Sequence, residues 1–299
     1  MECILKTDKL TKTYGSQTVV NNVSLSVEQG DIYGFVGKNG AGKTTFIRMV
    51  LGLTHPTSGT FSLFSDTDIS SARKRTGSLI ESPALYTNMS ALENIRMCCT
   101  ILGENKNQAE EILKIVDLSD TGKKKAGNFS LGMKQRLGIG MALVGNPDFL
   151  ILDEPINGLD PTGIAEVREL ILHLKNNQGK TIFVSSHYLG ELEKIATRYG
   201  IIAKGKLVEE LTSEELSAKC GVQTLLKTDN PEKAAELVRN LLKTENVEIR
   251  KDGTVILSEP VENIGKLTNE LFTNGIVVAG ITTSDNNSEK YFIDRMDGA

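Results

Sequence analysis

The chain has 299 residues, 39% hydrophobic and 24% charged, with a formal net charge of −4 and a pI near 5.6. That length is enough for two domains with a sizeable core, while the acidic balance argues against nucleic acid as a main partner. No apolar stretch reaches the length needed to span a bilayer, and Met1-Glu2-Cys3-Ile4-Leu5-Lys6 lacks the plan of a signal peptide, so a cytoplasmic chain is expected.

Residues 3 to 30 alternate apolar and polar positions, which predicts strands near 3–11, 17–28 and 31–37. Tyr14 falls at a strand end, where its ring either packs or offers a flat face to a base. Gly37-Lys38-Asn39-Gly40-Ala41-Gly42-Lys43-Thr44-Thr45 then matches G-x-x-x-x-G-K-[ST], the phosphate-cradling loop. Its chemistry is that of the backbone. Successive N–H groups curl around an anion, and glycines permit the tight path. Lys43 is placed to reach terminal phosphates and the Thr44 hydroxyl to ligate Mg2+. The helix that follows adds its positive N-terminal end. Ile32–Val36 reads as the buried strand before the loop, and Thr45–Leu51 as the amphipathic helix after it.

That helix stops at Gly52-Leu53-Thr54-His55-Pro56, and Phe61-Ser62-Leu63-Phe64 reads as a short strand. From about 81 to 146 the periodicity is helical, with Ser90 and Glu93 spaced as a capping box. Lys123-Lys124-Lys125 reads as a solvated loop. An apolar strand, Phe149–Leu152, then runs into Asp153-Glu154, and strands lining a nucleotide site deliver polar groups at their carboxyl ends. Asp153 suits Mg2+, and Glu154 suits the orientation of an attacking water. A helix is predicted at about 161 to 177. The next strand, Thr181–Ser186, ends at His187, a histidine that is either a plain loop residue or a phosphate contact. Residues 199 to 210 read as a hairpin. Cys3, Cys98, Cys99 and Cys220 have no C-x-x-C spacing, so neither a disulfide framework nor a metal site is expected from them.

After about 218 the order is strand, helix, hairpin, helix, strand, with the hairpin around Lys251-Asp252-Gly253 and the second helix at about 261 to 273. This β-α-β-β-α-β order predicts a small α+β domain of ferredoxin-like type over 219–299.

Together these stretches resemble the nucleotide-binding subunit of an ATP-binding cassette (ABC) transporter, over roughly residues 3 to 215. Phe129-Ser130-Leu131-Gly132-Met133-Lys134-Gln135-Arg136 resembles the family's signature, with Met133 where glycine is usual. Asn157-Gly158-Leu159-Asp160 resembles the loop after the second carboxylate, His187 the switch histidine, and Tyr14 the adenine-stacking aromatic. The resemblance implies an α/β P-loop NTPase cassette over 1–218: a RecA-like core, an antiparallel β-subdomain and a helical subdomain at about 81–146.

It also implies ATP and Mg2+ as cofactors, with Glu154, His187 and Lys43 catalytic. The nucleotide contacts would be Tyr14, the loop residues Gly37 to Thr45, Ser130, Gly132 and Asp160; the metal contacts would be Thr44, Asp153 and Glu81. Glu81 stands where the family usually places glutamine. This Glu-Ser-Pro variant, Glu81-Ser82-Pro83, resembles the subunits of lantibiotic-immunity and bacitracin-resistance transporters. In that family two cassettes pair head to tail around two ATP molecules, so a second copy is the expected partner. A separate membrane permease is the other, placing the subunit at the inner face of the membrane and implying export of antimicrobial peptides. The two-cassette plan of translation factors and the long coiled coils of DNA-maintenance members do not occur in this sequence.

Overall fold

In the computed structural model all residues are described except 1, 66–68, 221, 245, 251, 258–260, 262, 286–287 and 299. Contacts divide the chain into two compact units, Met1–Ser213 with Arg295–Ala299, and Glu214–Asp294.

The first unit begins with an antiparallel sheet. Strand β1 (Cys3–Tyr14) pairs with β2 (Gln17–Val23), β3 (Ser26–Glu28) and β5 (Ser58–Leu63). The single strand predicted at 17–28 is two, β2 and β3, interrupted at residues 24–25; within β2, Asn22 takes a left-handed φ of 53° where the register with β1 shifts, and the pairing resumes at Val23. Next comes a six-stranded sheet in the order β10-β9-β4-β8-β7-β6. Its strands are β4 (Ile32–Val36), β6 (Thr76–Leu79), β7 (Phe149–Asp153), β8 (Thr181–Ser186), β9 (Arg198–Ala203) and β10 (Lys206–Thr212). All pairings but β9–β10 are parallel. The short helix α2 (Ile69–Lys74) and β6 escape a periodicity reading, being six and four residues long.

Parallel strands are covered on both faces and so read as continuous apolar runs; β4, β7 and β8 are buried throughout. On one face helix α1 (Lys43–Val50) packs Phe46 against Phe35 and Phe183, with ring centroids 5.0 and 5.9 Å away. Tyr33 stacks on Phe183 at 5.4 Å. The buried side chains of helix α6 (Pro161–Gln178), Val167, Leu170, Ile171 and Leu174, recur three and four residues apart, as one apolar face requires. Helix α7 (Leu189–Leu192) follows β8.

The helical block holds α3 (Ala91–Leu102), α4 (Gln108–Ile115) and α5 (Leu131–Ala142). Helix starts at Ala91 rather than 81, since Ser90 and Glu93 close a reciprocal capping box there. Bonds from the Ser90 N–H and hydroxyl, with Lys125 nearby, hold the Glu93 carboxyl down at about 2.

Helix α8 (Ser213–Cys220), all but its first residue in the second unit, leads into that unit's β11 (Val222–Thr228), α9 (Pro231–Leu242), β12 (Val247–Ile249), β13 (Val255–Leu257), α10 (Ile264–Thr273) and β14 (Val278–Asp285). The strands form one antiparallel sheet in the order β12-β13-β11-β14. The β12–β13 hairpin falls at the expected Lys251-Asp252-Gly253: Lys251 lies outside the described residues, the Gly253 N–H donates to the Arg250 carbonyl at 2.9 Å, and the Asp252 side chain accepts from the Thr254 N–H at 3.0 Å. Asn230 and Asn263 cap α9 and α10 through their side chains, and Leu226, Val238, Leu267 and Leu271 lie in the core. Helix α11 (Ser288–Asp297) closes the chain order.

Phe183 touches both the sheet aromatics and α1. Phe183→Ala is expected to destabilise the chain by about 3–5 kcal/mol, read from urea unfolding.

Candidate functional site

Buried β4 delivers the glycine loop, and the Gly37 N–H fixes its start by donating to the Ser186 carbonyl at 3.3 Å. The chain turns into α1 through Gly42 at φ +107°, where an added Cβ would lie 2.7 Å from the Val19 carbonyl oxygen. Conformation and space both demand glycine there. Gly42 is also the N-cap of α1 and brings no side-chain acceptor. The first N–H groups of the helix thus lack a side-chain cap at its positive end, an arrangement that receives anions.

Lys43, 6% exposed, folds its ammonium into this curl and donates to the Gly37 and Lys38 carbonyls. It also stands 3.1 Å from Glu154 Oε1. That contact has the distance of an ion pair without hydrogen-bond alignment, for Glu154 Oε1 is buried with no hydrogen-bond donor. The loop's exposed side is made by Lys38, Asn39 and Gly40, whereas Ala41 is buried and Thr45 half-buried. Lys38 pairs with Asp297, which the contacts group with the same unit.

The parallel register carries the acids to the same edge. Asp153 sits beside Ser185, and Val36 beside Ser186. Asp153 is fully buried. One of its oxygens accepts from the Thr44 hydroxyl at 2.7 Å, the other from the Ser185 hydroxyl. Ser185 also accepts from the Glu154 N–H at 3.0 Å, fixing the next residue in a left-handed turn of φ 50°. Glu154 Oε2 meets His187 Nδ1 at 2.8 Å. Lys43, Thr44, Asp153, Glu154 and His187 are therefore one cluster.

Other expected residues lie elsewhere. Tyr14 ends β1 with 49% of its surface exposed and the Lys12 ammonium 5.0 Å from its ring centroid. Ser130 and Asp160 are exposed N-caps of α5 and α6, accepting from the Met133 and Gly163 N–H groups. Gly132 is packed near Gly163. Among the described contacts none joins Ser130, Gly132 or Asp160 to Lys43, Asp153 or Glu154. Glu81 takes a left-handed φ of 55° and pairs with Arg48 Nη2 at 2.8 Å; no described bond takes it to Thr44 or Asp153. Sequence reasoning passed over Ser185 and Arg48. The signal for Ser185 was a hydroxyl at the tip of an apolar strand; for Arg48 it was a cation four residues after Thr44 on one helix.

The sequence model of a family described as "ABC transporter" matches residues 20–157. The chain is 43% identical to the bacitracin transport ATP-binding protein BcrA of Bacillus licheniformis, covering 100% of this chain and 99% of that one. It is also 43% identical to the lantibiotic transport ATP-binding protein SrtF of Streptococcus pyogenes, over 69% of this chain and 90% of that one. A solved ATP-binding subunit of an ABC transporter superposes with a TM-score of 0.64 at 27% identity, covering 73% of this chain and 93% of that one. A dimeric ATP-binding cassette, MJ0796, bound to ADP and Pi gives a TM-score of 0.62 at 25% identity, covering 70% and 99%.

Ser185→Ala removes the donor to a buried carboxylate and is expected to cost about 1–3 kcal/mol, measured by urea unfolding.

Proposed function

Because this chain belongs to the ABC transporter family as an ATP-binding subunit, we propose that it hydrolyses ATP to drive a separate membrane permease exporting antimicrobial peptides of the bacitracin or lantibiotic kind. The cluster of Lys43, Thr44, Asp153, Glu154 and His187 around the uncapped start of α1 carries the reading of the chemistry. Likeness to BcrA along the full length of both chains carries the transport reading.

The residues fit Mg2+. Thr44 Oγ1 and Asp153 Oδ2, hard oxygens 2.7 Å apart, are the donor type this ion takes. Among the described residues no group of three or more His, Cys, Asp or Glu could hold an ion, which suits an ion that completes its shell with phosphate oxygens and water. When bound, Mg2+ neutralises charge on the phosphates. Thr44, Asp153 and, on our proposal, Glu81 would hold it.

Lys43 and the loop amides bind phosphate. Glu154 Oε1, a buried acceptor without a donor, takes a proton from the water that attacks the γ-phosphorus as the bond to the bridging oxygen breaks. With Nδ1 on Glu154, His187 has Nε2 left for a γ-phosphate oxygen. Tyr14 offers an exposed ring face for the adenine.

Ser130 and Asp160 are exposed caps of α5 and α6, with Gly132 buried in the first turn behind Ser130, and no described contact joins them to the cluster, so we assign them to a nucleotide held by a second copy. The permease contact we place on the cleft of about 470 Å³ lined by Leu79, Ile80, Pro83, Ala84, Leu102 and Met141, next to Ile101, which is 67% exposed. No helix among the described residues is long and apolar enough to cross a membrane. The subunit would be held at the inner face of the membrane through the permease.

Glu154→Gln is expected to bind ATP yet lower turnover by about 10²–10⁴-fold, with an ATP-bound dimer accumulating in size-exclusion chromatography; hydrolysis at the parent rate would refute the role of Glu154. Lys43→Ala is expected to lose ATP binding in a calorimetric titration.

A further inference from the structure

Helix α1 is tied to three acids at the ends of two neighbouring strands. Lys43 stands 3.1 Å from Glu154, Thr44 bonds Asp153 at 2.7 Å, and Arg48 bonds Glu81 at 2.8 Å. Arg48 follows Thr44 by four residues, so the two share a helix face. The strands supply the matching geometry. Leu79 of β6 pairs with Leu152 of β7; counting two residues on from each puts Glu81 level with Glu154. Both glutamates leave their strands in the left-handed region, at φ 55° and 50°, which is uncommon for a residue with a Cβ and turns the chain sharply.

Burial separates the ties. Lys43 and Asp153 are 6% and 0% exposed, so their bonds are locked into the core. Arg48 and Glu81 have side chains 45% and 60% exposed, and a pair in water contributes little and gives way to a stronger partner. We infer that Arg48 is a positioning residue for the metal site: it holds the Glu81 carboxylate along α1, away from Thr44 and Asp153, and Mg2+ arriving with ATP takes the carboxylate from it. The divalent ion prevails because it carries twice the charge of the guanidinium and prefers carboxylate oxygen. Arg48 thus sets how much Mg2+ the subunit needs. This rests on the Mg2+·ATP reading above.

The test uses the full chain with a fluorescent ATP analogue, titrated with Mg2+. The Mg2+ concentration giving half-maximal binding is measured for the parent, Arg48→Gln, Arg48→Lys, Glu81→Gln and the double variant Arg48→Gln/Glu81→Gln. Freed of its competitor, Glu81 is expected to lower that concentration about two- to fivefold in Arg48→Gln, the range that an exposed ion pair contributes. Arg48→Lys should stay near the parent, and Arg48→Gln should have no further effect once Glu81 is glutamine. An equal shift with and without Glu81, or no shift in Arg48→Gln, overturns the inference. Failure of the parent itself to bind Mg2+ and ATP would instead overturn the reading on which it rests.

Discussion

Parallel pairing of β4 with β8 and of β8 with β7 puts Val36 beside Ser186 and Asp153 beside Ser185, and the placing of Asp153 and Glu154 at the candidate site follows from that register. A one-residue slip in any of these strands would turn its alternate side chains to the other face. Asp153 would then leave Thr44 and Ser185, and a fully buried carboxylate would lose both hydroxyl partners. Such a loss costs far more than a misplaced surface acid. The packing of Phe46 on Phe35 and Phe183 holds the register from the other side, since it sets the height of α1 against the strands. Core aromatics and site geometry are thus one constraint.

The same sheet edge explains why the site is polar yet buried. Parallel strands end together, and their carboxyl ends meet the start of a helix whose N–H groups are not capped by a side chain. Lys43 compensates one carboxylate and His187 faces the same one. Two adjacent acids beside a phosphate loop still leave a negative excess, which suits a divalent cation. Ser130 and Asp160 obey a different logic. Each caps a helix at the surface, so its remaining bonding capacity faces outward. On the function proposed above, that outward capacity is what a second copy would use.

What was legible in the sequence was local. The glycine-lysine loop announces itself because its chemistry is carried by nine consecutive residues, Gly37 to Thr45. Asp153-Glu154 stood out because two carboxylates end an apolar run, and Ser90-Glu93 because a capping box has fixed spacing. What failed needed tertiary information. Strand β6 is four residues long and gains its place only by pairing with β7. The irregular register of β2 on β1, where Asn22 is left-handed, is signalled by no periodicity. Ser185 read as a strand residue because its role depends on Asp153, 32 positions earlier. Ser130 and Asp160 were recognisable by family likeness alone, their position at helix starts being common to many caps.

Glu81 meets its surroundings through charge more than shape. A glutamine at this position would offer a carbonyl oxygen of similar reach and no net charge, so it would form no ion pair with a nearby arginine. Glutamate at the same place does, and Arg48 is there to meet it. On the inference above, the carboxylate answers to two attractions, the fixed cation on α1 that it meets in the structure and a mobile one that would arrive with nucleotide. Their balance is set by exposure. Were the Arg48–Glu81 pair as buried as Asp153, desolvation would make separating it prohibitive, and Glu81 would be a structural residue. Being largely in water, the pair stays weak enough to exchange. The segment that begins at Glu81 runs on through Pro83 to α3, beside the cleft assigned to the permease. A charge that changes partner at its start is well placed to be felt along it.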